Sequence, residues 1–180
     1  MSCALETPRL LLRPFTADDA ADLYAYASHP GVGPAAGWKP HESVEESLTI
    51  IRTVFAQSHV FAVVDKDSGR VISSAGFVGR KRGDGGNCDE IGYALHRDFW
   101  GRGIMPEAVA ELLRYGFEVR GLDRIWLAHY EENDRSRRVA EKSGFVYMFK
   151  ETVTDDIRPD RTAYLYALER REWERRQGRG

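Results

Sequence analysis

Two glycines separated by a single residue, Gly101 and Gly103, lie between the apolar run Ile91-Gly92-Tyr93-Ala94-Leu95 and the segment Pro106-Glu107-Ala108. A strand, a glycine loop and a helix in that order suit the binding of phosphate. Without a β-carbon the backbone reaches positive φ and comes close to an anion. The unpaired N–H groups and dipole of a helix N-terminus then attract its oxygens. Spacing alone is equally compatible with an ordinary turn, because glycine marks turns in most proteins. A nucleotide-binding cradle is disfavoured: no Gly-Lys-Ser/Thr follows, and the third glycine of a dinucleotide fingerprint is missing. No Ser/His/Asp or Cys/His arrangement emerges from spacing, and Cys3 and Cys88 are incidental thiols rather than nucleophiles. His29 and His41 lack partners at metal-ligand spacing, so no metal is expected.

These residues need a scaffold, and the chain supplies its signals. Leu10 to Pro14 reads as a first strand stopped by proline. Thr16 caps a helix with Asp18 and Asp19 in its first turn and Ala20, Leu23 and Ala27 as its stripe. His29 to Pro40 is a loop. Ser43 with Glu46 forms a capping box ahead of Val44, Leu48, Ile51 and Phe55 at helical spacing. The runs 60–65 and 71–80 pair through the turn Asp67-Ser68-Gly69, and a second turn cluster, Gly83-Asp84-Gly85-Gly86-Asn87, precedes the strand 88–95. Pro106 suits a first helical position, with Val109, Leu112, Leu113, Gly116 and Phe117 on one face. A strand over 125–130, a short helix over 134–142 ended by Gly144, and strands over 145–154 and 162–168 follow. The charged tail from Arg170 is expected to fray. The pattern is α+β, a mixed α/β fold with a mostly antiparallel sheet of about seven strands and four or so helices.

Composition narrows the class. A chain of 180 residues with 42% hydrophobic content suits a single domain over 1–180. Its 26 basic and 28 acidic side chains nearly cancel, so no global field points to nucleic acid or a membrane. Two cysteines do not make a disulfide framework, and a reducing compartment fits. The N-terminal segment carries Glu6 and Pro8 in place of a basic stretch and apolar run, and no uninterrupted span of about 18 apolar residues occurs. A cytoplasmic, untargeted protein is expected, either monomer or homodimer.

Trp100-Gly101-Arg102-Gly103 with Pro106-Glu107-Ala108, followed by Asn133, Ser136, Val139, Glu141-Lys142 and Gly144-Phe145, resembles the acetyl-CoA-binding core of the GNAT acyltransferases, in the RimJ/RimL-like branch. The resemblance runs from Thr7-Pro8-Arg9-Leu10 to the closing strand. Two of the three fixed loop positions of the general family pattern are replaced here, by Trp100 and Met105, while aromatic-Gly-basic-Gly matches the branch. The family fold is a mixed sheet splayed between its fourth and fifth strands. The resemblance implies acetyl-CoA as co-substrate, with Gly101, Gly103, Met105 and Pro106 around the phosphates. It also implies that the main chain at Leu95 and the side-chain amide of Asn133 hold the pantetheine arm. Arg97 and Arg102 flank the loop, and Arg135, Arg137 and Arg138 lie downstream. Guanidinium forks suit phosphate, although solvated arginines are the commoner case. Arg102 and Arg138 are the two chosen to reach the cofactor.

The same resemblance implies N-acetyl transfer to a primary amine, on a small molecule or a protein N-terminus. An α-amine near pKa 8 is about one-tenth neutral at pH 7 and a lysine amine far less, so a base assists. Glu90, beside the splay, is the candidate, against the alternative of an exposed strand carboxylate; Asp89 points to the other face. Ser136 is the family's candidate for assisting the departing sulfur. A thiol of pKa about 8.5 needs a hydrogen bond more than a full proton, and a helix-capping role is the competing interpretation. A backbone N–H near Ala94 or Leu95 would stabilise the oxyanion. Trp38, Tyr26 and His41, with Tyr24, belong to the region that walls the acceptor cleft in this family, or else simply pack the core. The alternative function is a non-catalytic acyl-CoA-binding or regulatory module.

Overall fold

The computed structural model describes residues 4–81 and 86–178. Most of the turn cluster expected over 83–87 therefore lies outside the described residues, as does Cys3. One mixed sheet of eight strands organises the rest, in the order β1-β2-β3-β4-β5-β6-β8-β7. The strands are β1 (Leu5–Glu6), β2 (Leu10–Arg13), β3 (His59–Asp65), β4 (Val71–Phe77), β5 (Cys88–Leu95), β6 (Arg124–Tyr130), β7 (Val146–Val153) and β8 (Arg161–Glu169). The helices are α1 (Ala20–Ala27), α2 (Gly33–Ala36), α3 (Val44–Thr53), α4 (Ile104–Arg114), α5 (Asp134–Lys142) and α6 (Arg170–Arg176).

The seven expected strands are present, and β1, two residues long, is added at the edge. All neighbours pair antiparallel except β5 and β6, whose connection carries α4 across one face. Those two parallel strands register only from Cys88↔Arg124 to Ile91↔Leu127 and then part. Beyond that point β6 continues to pair with β8 through Tyr130, and β5 with β4 through Leu95. The gap is the expected splay, displaced by one in strand number because of β1.

Strand alternation assigns the two faces. Ile91 and Leu95 of β5, with Ile125 and Leu127 of β6, pack beneath α4, where Val109 and Leu112 are fully buried. On the other face Ala94 packs with Ala62 and Val64 against Leu23, Tyr26 and Ala27 of α1 and Ile51 of α3. The splay therefore opens between two cores.

Three expectations are corrected. The segment expected as a loop over 29–40 contains the one-turn helix α2, with Pro34 in its first turn and Gly37 ending it at φ 92°. Helix α4 begins at Ile104, so Pro106 stands third rather than first; it is tolerated because the N–H it lacks has no intrahelical partner there. The tail does not fray from Arg170: α6 folds back, buries Trp173 against Phe117 with ring centroids 5.3 Å apart, and donates from Arg176 to Gly144 O at 2.7 Å. A charged segment is thus held by one aromatic anchor.

Candidate active site

The splay opens into a cleft of ≈1240 Å³ whose lining includes Glu90, Tyr93, Leu95, Gly101, Gly103, Met105, Pro106, Asn133, Ser136 and Arg138, and also Trp38 and His41. The glycine loop forms one wall. Gly101 and Gly103 have φ values of 74° and 73°, conformations that side-chain-bearing residues adopt only at a cost. Gly103 caps α4, and the first rung of the helical ladder runs from Glu107 N–H to Gly103 O. The amides of Gly103, Ile104 and Met105 therefore have no carbonyl one turn earlier to reach. A β-carbon at Gly101 would meet nothing within 4 Å, and one at Gly103 only Arg9 Nη2 at 3.6 Å, so the space ahead of the helix is open.

The loop is held from behind. Glu107, in the first turn of α4, accepts from Thr7 Oγ1 at 2.6 Å, from Arg9 N at 3.0 Å and from Arg9 Nε at 2.6 Å. Arg9 in turn donates to Arg102 O at 2.9 Å. Burial alone would raise the Glu107 carboxyl, but these donors outweigh it and hold it below the usual range. The N-terminal Thr7-Pro8-Arg9 segment is thus a brace for the loop.

The five arginines divide differently from expectation. Arg135 and Arg138 line the cleft together with Lys142, whereas Arg97 and Arg102 are exposed and lie outside the lining. Arg97 Nη1 lies 3.4 Å from His29 Nε2, and Arg102 rests over Phe99 with its Cζ 5.3 Å from the ring centroid. Arg137 is turned to Asp134 and Glu141 on its own helix. The spacing 135, 138 and 142 is three then four, one face of a helix; that phase distinguishes Arg135 from Arg137 in sequence alone. Trp100 links this basic face to the strand: its Nε1 donates to Leu95 O at 3.0 Å, and Arg135 Cζ lies 3.7 Å from its ring centroid.

Hydrogen bonding fixes which backbone groups face the gap. Val78 N donates to Glu90 O and His96 N to Ile72 O, so the even-numbered residues of this stretch turn their backbone toward β4. Tyr93 and Leu95 turn theirs toward the splay. Ala94 is thereby removed as an oxyanion donor, and because Leu95 O is occupied by Trp100, the N–H of Leu95 is the group it offers.

Asn133 is the N-cap of α5, its side-chain oxygen accepting from Ser136 N at 3.1 Å while its nitrogen donates to Ala35 O at 3.0 Å. One side-chain N–H and one acceptor lone pair are left for the arm. Since Asn133 does the capping, Ser136 does not. Ser136 is 6% exposed, and its Oγ lies 2.8 Å from the hydroxyl of Tyr93, a cleft residue missed in the sequence. Burial pushes the Tyr93 phenol up, against a smaller opposing effect of Ser136. Glu90, at 5% exposure, is not the solvated strand carboxylate of the alternative interpretation. Its Oε1 lies 3.6 Å from Arg80 Nη1. Asp89, on the opposite face, is held by Arg120 at 2.9 Å. Glu90 of β5 and Ser136 of α5 thus line the same cleft, Ser136 on the Tyr93 face of β5 and Glu90 on the other.

On the α1–α3 side Trp38 and His41 line the wall, with their ring centroids 5.2 Å apart and His41 Nδ1 2.8 Å from Ser47 Oγ. Burial lowers the His41 pKa despite nearby Glu46. Tyr26 lies elsewhere: at 1% exposure it is part of the α1 core and is not among the lining residues. Beyond Trp38 a buried ion network fastens α2 to the β7–β8 connection. Arg161, 2% exposed, donates to Pro34 O at 2.9 Å, Asp155 at 2.7 Å and Glu132 at 2.6 Å, and lies over Tyr130.

Burial alone would raise the Asp155 carboxyl, but the backbone N–H groups of Arg158 and Ile157, then Tyr130 and Arg161, hold it at about 2. Since the folded value is depressed, its stabilisation is present above the ordinary 3.8 and is lost as pH falls toward 2. Asp155→Asn is therefore expected to lower Tm at pH 7 and to flatten the Tm decline between about pH 4 and 2. Parallel Tm–pH curves for the two proteins would contradict this assignment.

Residues 9–146 match the family described as acetyltransferase (GNAT) domain. The uncharacterized N-acetyltransferase YoaA of Bacillus subtilis (strain 168) is 30% identical over 148 residues, covering 78% of this chain and 81% of that protein. The [ribosomal protein uS5]-alanine N-acetyltransferase of Escherichia coli (strain K12) is 28% identical over 157 residues, covering 78% and 77%. A GNAT-family acetyltransferase structure from Bacillus anthracis superposes with a TM-score of 0.83 at 23% identity, covering 94% of this chain and 100% of that one. The chain belongs to the GNAT acetyltransferases. It is an acetyl-CoA-dependent acyltransferase of the RimJ/RimL-like kind. Among the described residues, no group of His, Cys, Asp and Glu assembles as a metal site, and no helix is long and apolar enough to cross a membrane.

Proposed function

We propose that the protein transfers acetyl from acetyl-CoA directly to a primary amine in a ternary complex, the amine belonging to a protein N-terminus, a polyamine or another small molecule. The observation that carries this is that a buried carboxylate, Glu90 of β5, and a buried hydroxyl, Ser136 of α5, line one cleft where β5 and β6 separate. When bound, acetyl-CoA supplies a carbonyl carbon whose bond to sulfur breaks, the electron pair leaving on sulfur, as the bond to the amine nitrogen forms.

The chain's own residues have separable tasks. The amides of residues 103–105 and the cationic face Arg135, Arg138 and Lys142 hold the phosphates. The N–H of Leu95 faces the carbonyl oxygen and stabilises the charge that develops there. Glu90 takes the amine's proton, directly or through a water. Ser136 hydrogen-bonds the departing sulfur. Trp38 and His41 shape the acceptor's entrance from the opposite face.

Thiol release from acetyl-CoA measured across a panel of N-terminal peptides, polyamines and small amines tests this. Turnover on at least one class is expected. Tight acetyl-CoA binding with no turnover on any acceptor would favour a binding or regulatory module.

A further inference from the structure

A serine near a helix start has two habits: it aims its hydroxyl outward, or it turns back on a carbonyl three or four residues earlier. In α5 the carbonyls available for that retreat are those of Glu132 and Asn133, and Asn133 O already accepts from Arg137 N at 3.2 Å. What holds Ser136 in the first habit is Tyr93, whose hydroxyl reaches across the splay from β5 to within 2.8 Å of Ser136 Oγ. By geometry either oxygen can donate. The phenol is the stronger acid of the two and therefore the better donor. If it donates, the single proton of Ser136 is left for the cleft. A phenol of ordinary pKa about 10 is already protonated at neutral pH, and burial raises the Tyr93 value further.

We propose that Tyr93 is a positioning residue for acetyl transfer: by donating to Ser136 Oγ it directs the serine proton toward the sulfur that departs. The proposal rests on the placement of Ser136 at that sulfur. No proton changes owner along this pair; Tyr93 and Ser136 keep theirs while the electron pair of the broken carbon–sulfur bond stays on sulfur and the amine's proton goes to Glu90. Without the phenolic donor the serine is free to rotate onto its helix, and the sulfur loses a hydrogen bond only as charge gathers on it.

The test is a cycle of Tyr93→Phe, Ser136→Ala and the double variant, assayed with acetyl-CoA and an acceptor that the wild-type enzyme turns over. Tyr93→Phe keeps the ring and is expected to lower kcat about tenfold with KM for acetyl-CoA unchanged. The double variant is expected to be no slower than Ser136→Ala. A wild-type kcat in Tyr93→Phe would overturn the proposal. So would a double variant slower than Ser136→Ala by the full Tyr93→Phe factor, since the two residues would then act independently. Wild-type kcat in Ser136→Ala would remove the serine from the chemistry and the proposal with it, while leaving acetyl transfer intact. Wild-type protein that acetylates no amine would instead overturn the functional assignment, a result visible before any variant is compared.

Discussion

Glu90→Gln is expected to lower kcat about a hundredfold, within the range that a positioned general base contributes, with acetyl-CoA affinity unchanged. Glutamine has the same shape and cannot take a proton. The carboxylate it replaces is 5% exposed and lines the cleft next to the point where β5 and β6 part. The side chain of Arg80, whose Nη1 lies 3.6 Å from Glu90 Oε1, is 64% exposed, so loss of that one contact costs little stability. The deficit should depend on the acceptor: an α-amine near pKa 8 is partly neutral at pH 7, whereas a lysine-type amine near 10.4 depends more on the base. Parallel assays of wild type and variant on both amine types read this directly. An unaltered rate on the true acceptor would remove Glu90 from the mechanism.

Gly103→Glu is expected to weaken acetyl-CoA binding by about a hundredfold or more. Two effects combine at this position. The residue has φ 73°, so any side chain strains the backbone by about 1–2 kcal/mol, and that strain is felt by every substitution. The carboxylate adds a negative charge beside the amides of residues 103–105, where we propose that the phosphates are held. Gly103→Ala carries the strain without the charge and should lose much less affinity. Titration calorimetry on the three proteins separates the effects. Equal affinities in wild type and Gly103→Glu would place the diphosphate elsewhere.

Much of this architecture was legible because local signals agree with long-range packing. Ser43 caps α3 as read, its Oγ accepting from Glu46 N at 3.1 Å, but the capping box is not closed: the Glu46 carboxylate accepts from Glu42 N at 2.6 Å instead of from Ser43 N. The glycine loop is legible because its two glycines sit where positive φ is required. Tyr26 shows the other side. Leu23, Tyr26 and Ala27 stand at i, i+3 and i+4, and that phase alone assigns Tyr26 to the buried stripe of α1 rather than to the acceptor wall. Arg102 illustrates a different gap: adjacency to the loop in sequence is not proximity to the cleft, whereas Arg135, Arg138 and Lys142 share one helix face.

Other features had no local signature to read. Strand β1 has two residues, too few for an alternating pattern. Helix α6 reads Arg-Arg-Glu-Trp-Glu-Arg-Arg and is held by Trp173 packing on Phe117, a contact between residues far apart in sequence. The Tyr93–Ser136 pair is of the same kind, bridging β5 and α5 across 43 positions. Such contacts follow from the topology of the sheet, and no periodicity announces them.

The most direct measurement is a crystal structure of the protein with coenzyme A. The diphosphate oxygens should lie about 3 Å from the main-chain N–H groups at the head of α4, with the pantetheine arm alongside Tyr93 and Leu95 in the gap between β5 and β6. Coenzyme density elsewhere, or those amides turned onto protein carbonyls with no phosphate before them, would contradict the account.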